Sequence, residues 1–254
     1  MRPVNAILNN VSLRDLDARI LVRTVSEPTP QETLTYGDSP GQDGQRLLER
    51  TRDTRRITVT FAVRELFDLA ARSAIVDLVN GWARDGYLET SYRPGKRIRV
   101  TAAGWASIQD PRNYNEEFSV QFDAAAVPFW EDAVPQRLTL SGESGTGSIV
   151  NLGNKAAEPE ITVTPTGGAL DALTLTLGDD TFTFADLDVA QGTALRLYHD
   201  ERGYLRILAG NVSRLGCRSE ASPDELRAQP GSNTFSFTAD TACSVVVEVH
   251  GRWL

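Results

Sequence analysis

The stretch Ser148–Pro165, SIVNLGNKAAEPEITVTP, separates two kinds of sequence. An apolar strand start meets the turn cluster Asn151–Asn154, where Gly153 and Asn154 tolerate the positive φ of a sharp reversal. Pro159 then suits the first position of a strand, because it has no N–H for a central ladder to use. An ordinary loop between two strands would use the same residues. Helix-bearing sequence precedes this stretch and only β-type sequence follows it, so we expect the fold to change here.

Length and composition limit the classes of protein that the chain can represent. Its 254 residues can hold one large or two ordinary domains, and 41% hydrophobic content supports a packed fold. The net charge of −8 argues against a protein whose main task is to grip nucleic acid, since such binding depends on basic patches. No apolar run is long enough to predict a membrane span, and the first residues lack the apolar core of a signal peptide.

The two cysteines, Cys217 and Cys243, both lie in the C-terminal half. A disulfide between them is geometrically possible. We expect two reduced, partly buried thiols, as in a protein made in the cytoplasm.

The polar segment Ser26–Thr54 is rich in proline and glycine and is too long for an ordinary connection. One interpretation is an arm or hairpin that reaches a neighbouring subunit, and the alternative is a disordered surface loop. We favour the arm because the segment carries apolar anchors, namely Leu34, Tyr36, Leu47 and Leu48.

A strand and the one convincing helix follow this segment. Arg55–Val63, RRITVTFAV, alternates as a half-buried strand does. Arg64–Arg84 carries apolar side chains at helical spacing, and we expect this stripe to pack against the sheet. The stripe consists of Phe67, Ala70, Ala71, Ala74, Ile75, Leu78 and Trp82. Four arginines lie around the start of the strand, namely Arg50, Arg52, Arg55 and Arg56. They predict a strand end that is exposed to solvent.

Two features mark the end of the first half. Val127–Asp132, VPFWED, contains Pro128 and Trp130 and predicts a hydrophobic plug that ends a strand; a binding patch is the weaker interpretation. Val134–Gly147 then concentrates glycine and serine and predicts a domain boundary.

The second half carries only β signals. Leu173–Phe184 predicts a hairpin, and several more short strands with regular turns follow it, including Thr234–Phe237 and Ser244–His250. Ser222–Leu226 could open one helical turn. Such a series of strands predicts a sandwich or a barrel.

No group of residues in the sequence points to chemistry. The two histidines, His199 and His250, lack a nucleophile to serve, and four scattered His and Cys residues do not make a zinc site. Adjacent carboxylates, such as Asp179-Asp180, are usually solvated. We therefore predict no catalytic residue, no cofactor and no bound metal.

Four motifs carry a resemblance to a known family: RRITVTFAV, VPFWED, NLGNKAAEPEITV and, at Pro230–Phe237, PGSNTFSF. In this order and spacing, the chain resembles the distal tail proteins of long-tailed, non-contractile phages. The resemblance implies a mainly β (α+β) fold, with a β-rich N-terminal domain that holds one long helix and a galectin-like C-terminal β-sandwich. We place the first domain at residues 1–141, completed by residues 244–254, and the second at residues 142–243.

The same resemblance implies a structural virion protein at the phage tail tip, assembled in the host cytoplasm. It implies a homohexameric ring that joins the tail tube to the tip or baseplate. The neighbours would be the tube protein, the tape measure protein and the tail-tip hub protein. DNA would pass through the central channel without specific binding, so we expect a neutral to acidic lumen, and no membrane is involved.

Two further expectations concern the second half. The terminal Trp253 and Leu254 are large and apolar, so we expect the chain end to dock on the first domain or, alternatively, under its own sandwich. The alternative function is a carbohydrate-binding module for adsorption to the host wall. Its aromatic platform would come from Phe182, Phe184, Tyr198 and Tyr204, of which the two phenylalanines have a core pattern.

Overall fold

The computed structural model describes residues 4–38, 45–64, 68–200 and 202–254 and divides the chain into two compact units, Met1–Trp130 and Glu131–Leu254. Strands dominate both, and among the described residues only one helix exceeds a single turn, so the predicted mainly β fold with one long helix is confirmed. No helix in the described part of the chain has the length and apolar character needed to cross a membrane. The galectin-like character of the second domain stays a prediction.

The first unit contains most of a strand-rich sheet, one short and one long helix, and a separate hairpin. Its elements are β1 (Ala6–Leu8), β2 (Val11–Ser12), α1 (Leu13–Leu16), β3 (Ile20–Ser26), β4 (Glu32–Asp38), β5 (Gln45–Arg52), β6 (Arg55–Val63), α2 (Leu69–Trp82), β7 (Gly86–Thr90), β8 (Lys96–Gly104), β9 (Glu117–Ala124) and the start of β10 (Trp130–Asp132).

Seven of these strands form one antiparallel sheet in the order β2-β1-β7-β8-β9-β6-β3. The predicted strand Arg55–Val63 is β6, with the same bounds. Its alternate residues Ile57, Val59 and Phe61 are fully buried and lie opposite β9, whose Phe118 and Phe122 are buried too. The period-two pattern therefore located this core correctly.

Helix α2 buries a different face from the predicted stripe. Its buried residues are Arg72, Ile75, Val76, Val79 and Trp82. Leu78 is 44% exposed, and Ala70 and Ala74 are exposed as well. Phe67 lies outside the described residues. The buried residues also have helical spacing, but one of them is an arginine. A prediction that considers only apolar residues therefore misses this position.

Backbone carbonyls bind the two terminal nitrogens of the buried Arg72 guanidinium, whereas its Nε has no hydrogen-bond partner among the described residues. The guanidinium donates to the carbonyl oxygens of Asn113 (2.6 Å), Pro111 (3.1 Å) and Asp110 (3.3 Å). It also lies 5.5 Å from the ring centre of Tyr114. Arg72 therefore fastens the connection between β8 and β9 to the helix.

The second unit is built from strands and one 3₁₀ turn. Its elements are the remainder of β10, then β11 (Gln136–Asn151), β12 (Glu160–Pro165), β13 (Leu173–Leu177), β14 (Asp180–Phe184), β15 (Leu195–His199), β16 (Leu205–Ala209), β17 (Val212–Ser213), the turn Leu215–Cys217, β18 (Gly231–Val249) and β19 (Arg252–Trp253). The sheet order is β14-β13-β18-β12-β15-β16-β17, with β11 paired to β18.

The long strands β11 and β18 pair along their whole lengths, from Gln136 opposite Val249 to Asn151 opposite Gly231. The register shifts between Gly142 and Ser144. The predicted strands at residues 234–237 and 244–250 are therefore parts of one strand. The Gly/Ser-rich segment at residues 134–147, predicted to be a boundary, lies mostly within β11.

Close packing explains the glycines of β11. A Cβ added at Gly147 would lie 2.8 Å from Cδ1 of Leu138, so the two halves of the bent strand face each other. Glycine here leaves room for a leucine and does not mark a linker. The compact units divide after Trp130, earlier than the predicted residue 141, because residues 136–142 pair with residues 243–249 inside the second unit. That residues 244–254 also stabilise the first domain stays a prediction.

Both halves of β18 contribute to one core. The first half pairs with β13 and buries Phe235 and Phe237, and the second half pairs with β12 and buries Val245, Val247 and Val249. The predicted hairpin is β13–β14, with Leu173 opposite Phe184.

Two smaller sequence expectations can be compared with the structure. Ser222–Leu226 forms no helical turn, because the carbonyls of Pro223 and Asp224 accept hydrogen bonds from Arg218. The two cysteines are not bonded to each other; Cys243 is buried and Cys217 is half-buried.

Replacing Arg72 by methionine keeps an extended side chain but removes one donor from each of three carbonyl oxygens, of which those of Asp110 and Asn113 keep a backbone donor. We expect Arg72→Met to lower the free energy of unfolding by about 2–3 kcal/mol, measured by urea denaturation. Arg84→Met is the matched control, because Arg84 is exposed and donates only to the nearby Gly81 carbonyl. The control should change stability by about 0.5 kcal/mol or less. Equal losses in the two variants would contradict the anchoring role.

Candidate functional site

The side chain of Asn151 stabilises the turn near the start of Ser148–Pro165 by hydrogen bonds to the backbone. This side chain is buried, and Nδ2 donates to the carbonyls of Lys155 (2.8 Å) and Ala228 (2.9 Å). Its Oδ1 accepts from the amide of Gly153 (2.8 Å). Pro159 is buried and directly precedes β12. The predicted turn cluster is thus a locally braced turn.

The chain end lies against this turn. The amides of Asn154 (2.8 Å) and Lys155 (3.1 Å) donate to the carbonyl of Arg252, and Oδ1 of Asn154 accepts from the amide of Leu254 (3.0 Å). A Cβ at Gly153 would overlap the Arg252 backbone, so only glycine fits. We call residues 151–155 and 251–254 together the C-terminal clasp.

Two side chains and a backbone bond extend the clasp to Asp132. Trp253 donates from Nε1 to Oδ1 of Asp132 (3.0 Å), and Nδ1 of His250 lies 2.7 Å from the Asp132 carbonyl oxygen. The amide of Asp132 donates to the Gly251 carbonyl (2.9 Å). All of these residues belong to the second unit, so the apolar chain end is docked within it.

Beside the clasp lies a cluster of charged side chains. Arg252 forms an ion pair with Glu158, and Nε2 of His199 lies 4.0 Å from Oε1 of Glu225. Burial lowers the pKa of His199, with Arg252 acting in the same direction and Glu158 and Glu225 in the opposite one. Within the described residues, no group of three or more His, Cys, Asp and Glu side chains could hold a metal ion.

In the first unit, Pro128 and Trp130 are both buried, as the plug interpretation requires. The guanidinium of Arg93 lies 5.3 Å from the Trp130 ring centre and pairs with Glu27 (3.0 Å). These contacts leave neither Pro128 nor Trp130 available as a surface patch.

Of the four arginines predicted to be a solvated strand end, Arg50 and Arg56 are exposed, Arg52 is half-buried, and Arg55 contradicts the prediction. Arg55 is 1% exposed, and burial, reinforced by Arg93 and opposed by Glu27, lowers its pKa to about 10. Arg56 forms an ion pair with Asp123 (2.8 Å). The sequence analysis missed the buried arginines Arg55 and Arg72. Both occupy positions in phase with buried apolar neighbours, and that phase is the signal that could have revealed them.

The predicted arm is the β4–β5 hairpin, a two-stranded sheet of its own. Its anchors are exposed: Leu34 by 38%, Tyr36 by 50%, Leu47 by 41% and Leu48 by 63%. The hairpin tip, residues 39–44, lies outside the described residues. Contact with a neighbouring subunit stays a prediction.

A register shift between Thr35 and Tyr36 divides these anchors between two faces. Tyr36 lies opposite Leu47. Leu34, which lies opposite Arg50, is on the same face as Tyr36, whereas Leu48 packs against Gly37, whose partner across the ladder is Arg46. One face therefore carries Leu34, Tyr36 and Leu47, and Leu48 lies on the other face near Arg46.

The aromatic residues considered for a sugar platform are divided between core and surface. Phe182 and Phe184 are buried and meet edge to face, 6.1 Å apart. Tyr198 is half-buried beside Arg196, and Tyr204 is 63% exposed. Only one of the four residues is therefore an exposed aromatic side chain.

Sequence comparison identifies the class of domain in the first unit. Residues 11–124 match the family model described as the phage tail protein RIFT-related domain. This match covers α2 and every strand of the seven-stranded sheet except β1, and the class to which it points is that of the phage tail proteins.

Comparison with solved structures shows a fold shared along nearly the whole chain. The SPP1 Dit (gp 19.1) protein, described as a paradigm of the hub adsorption apparatus in phages that infect Gram-positive bacteria, matches with a TM-score of 0.70. The match covers 100% of both chains at 14% identity. Chains of the phage p2 baseplate in its activated conformation, with Ca and with Sr, match with TM-scores of 0.50 and 0.51, covering 97% of this chain and 98% of theirs at 9% identity.

The resemblance to distal tail proteins that the sequence predicts is confirmed by the domain match and by this shared fold. No curated protein sequence matches the chain.

Replacing Asn151 by alanine removes the internal brace of the turn. We expect Asn151→Ala to lower the free energy of unfolding by about 2–4 kcal/mol, because it removes three hydrogen bonds and leaves the Lys155 carbonyl and the Gly153 amide without their side-chain partner. Chemical denaturation measures this change. Asn154→Ala is the matched control, since Asn154 is exposed and its side chain accepts one bond; it should cost about 1 kcal/mol or less. A larger loss in the control would contradict the assignment.

The lowered pKa of His199 predicts a dependence of stability on pH. The unfolded chain binds a proton at this histidine below about pH 6.5, whereas the folded chain binds it only at lower pH. The free energy of unfolding should therefore fall as the pH decreases from 6.5 towards the folded pKa, by at most about 1.4 kcal/mol per pH unit. His199→Gln should remove this part of the slope. Parallel curves for the two proteins, from thermal unfolding between pH 5 and 8, would refute the prediction.

Proposed function

We propose that this chain is a structural component of a phage tail and that its copies assemble into a ring through the β4–β5 hairpin. The observation that carries the proposal is the exposure of four large apolar side chains on a hairpin with no other strand beside it. An isolated two-stranded hairpin is marginally stable in water. A partner that covers these side chains would supply the missing stability.

The energetics favour such a contact. Full burial of a leucine or a comparable side chain stabilises by about 1.5–3 kcal/mol, so a covered hairpin can outweigh several kcal/mol of association cost. A chain that carries both the hairpin and its receiving surface can form a closed ring, because head-to-tail contacts repeat around an axis.

Within this proposal, the ring is a hexamer that joins the tail tube to the tail tip or baseplate. The full-length similarity in fold to the SPP1 Dit protein and to chains of the p2 baseplate supports this placement. The tube protein, the tape measure protein and the tail-tip hub protein are the proposed neighbours. DNA passes through the channel, and the net charge of −8 suits a lumen that does not hold phosphates.

The proposed role is mechanical and assigns no catalysis to the chain. Its residues form the interfaces between subunits, and the binding free energy of these interfaces holds the ring together. A wall-degrading activity that disappears when one carboxylate is replaced would contradict this part of the proposal.

The first test is the mass of the purified full-length protein. Native mass spectrometry should show a species six times the mass of the 27.8-kDa chain. Deleting Thr35–Arg46 should shift the protein to the monomer, because it removes Tyr36 and the strand pairing that positions Leu34, Leu47 and Leu48. Hydrogen exchange in β6 should stay slow in the deletion variant, since β6 pairs with β3 and β9.

Point variants provide the control for this deletion. Leu48→Asp places a charge on the most exposed hairpin leucine and should weaken the ring. Leu152→Asp makes the same change at a leucine that is 52% exposed in the second unit, and the ring should persist. A monomeric wild-type protein, or rings that survive the hairpin deletion, would contradict the proposed assembly.

A further inference from the structure

His199 ends β15 with its Nε2 atom buried and without a hydrogen-bond partner among the described residues. Its position continues the alternation of the buried Leu195 and Leu197, so the ring points towards the interior of the second unit. Oε1 of Glu225 lies 4.0 Å from Nε2, beyond hydrogen-bond distance. A protonated imidazole carries an N–H on both nitrogens, so protonation turns Nε2 into a charged donor that faces this carboxylate.

Several charged side chains surround His199. The groups that act on its charge are Glu158, Asp200, Glu225 and Arg252. Each of the three carboxylates already has a cationic partner, and the pairs are Asp200 with Arg206 (2.6 Å), Glu225 with Arg227 (2.5 Å) and Glu158 with Arg252. The last pair ties β19, at the chain end, to the connection between β11 and β12. A proton on His199 therefore adds a positive charge to a balanced cluster.

The charge on His199 is coupled to the position of the chain end. Burial is the main cause of the lowered pKa of His199; Glu158 and Glu225 oppose it, and Arg252 reinforces it. When the chain end leaves, Arg252 no longer repels the imidazolium, and Glu158 is free to attract it. His199 therefore binds its proton more tightly when the chain end is released. Acid then favours release, because a ligand shifts an equilibrium towards the state that binds it better.

We propose that protonation of His199 opens the C-terminal clasp, with Glu158 passing from Arg252 to the imidazolium. Opening breaks the hydrogen bonds from the amides of Asn154 and Lys155 to the Arg252 carbonyl. One proton changes the opening equilibrium by at most about tenfold per pH unit, in the range between the pKa values of His199 in the closed and open states. The switch lies within the second unit, so it operates with or without the proposed ring.

Hydrogen exchange resolved to single amides measures this opening in the full-length protein. Exchange is recorded from about pH 8 to about pH 5 and corrected for the intrinsic rate at each pH. The protection of the Asn154 and Lys155 amides should fall below about pH 6.5, by up to about tenfold per pH unit. The Gly153 amide is the control within the same turn, because it bonds to Oδ1 of Asn151, and it should keep its protection.

Two histidine variants identify the group that takes up the proton. His199→Gln stays neutral across this range, so the protection of Asn154 and Lys155 should no longer depend on pH. His250→Gln is the matched control, since His250 is the other histidine of the chain and contacts the Asp132 carbonyl. This variant should retain the pH dependence, whatever its effect on protection at about pH 8.

The reverse coupling provides an independent test. Arg252→Gln removes the cation of the chain end and should raise the pKa of His199, because the coupling between two equilibria is reciprocal. Proton NMR of the imidazole Cε1–H signals measures this pKa, and His250→Gln assigns the two histidines. Arg137→Gln is the control. Arg137 pairs with Glu248 and is not among the described groups that act on His199, so the pKa should stay unchanged.

Each outcome decides for or against the switch. If the two clasp amides keep their protection down to about pH 5, or lose it equally in His199→Gln, the proposal is overturned. A parallel loss at Gly153 and throughout β12 would indicate global unfolding and would overturn it as well. A response that disappears only in His250→Gln would assign the proton to the other histidine. An unchanged pKa of His199 in Arg252→Gln would show that the histidine and the chain end are not coupled.

Discussion

The pairing of β11 with β18 is the constraint on which the second unit depends. It joins residues near the start of the unit's sequence to residues near its end, from Gln136 with Val249 to Asn151 with Gly231. Each half of β18 then carries a different neighbour, β13 or β12, so a single bent ladder supplies both parts of the core. The clasp follows from it, because the end of β11 leads into the Asn151 turn, and the residues after β18 lie against that turn.

In the first unit, arginine side chains fix segments that hydrophobic packing alone would leave loose. Arg72 binds three backbone carbonyls between β8 and β9, and Arg93 lies over Trp130 while it pairs with Glu27. Backbone carbonyls and a paired carboxylate supply the hydrogen bonds that hold these cations in place.

A common fold at 14% identity shows how little of the architecture depends on particular side chains. Alternating burial, as in β6 and β13, places apolar groups on one face whatever their identity. The surfaces that determine assembly are a different matter. Their chemistry lies in individual exposed residues, such as Leu48 of the hairpin, so function at this level must be argued from this chain's own surface.

The sequence by itself determined the features that arise between near neighbours: the alternation of Arg55–Val63, the Leu173–Phe184 hairpin and the turn at Asn151. Local periodicity and turn chemistry are sufficient for these. Only the tertiary structure decided that Gly147 lies under Leu138, that Arg72 is buried and that Leu78 is exposed beside a groove. The partners in those contacts are brought together by folding and bending of the chain, and neither the composition of a segment nor its periodicity specifies which surfaces will meet.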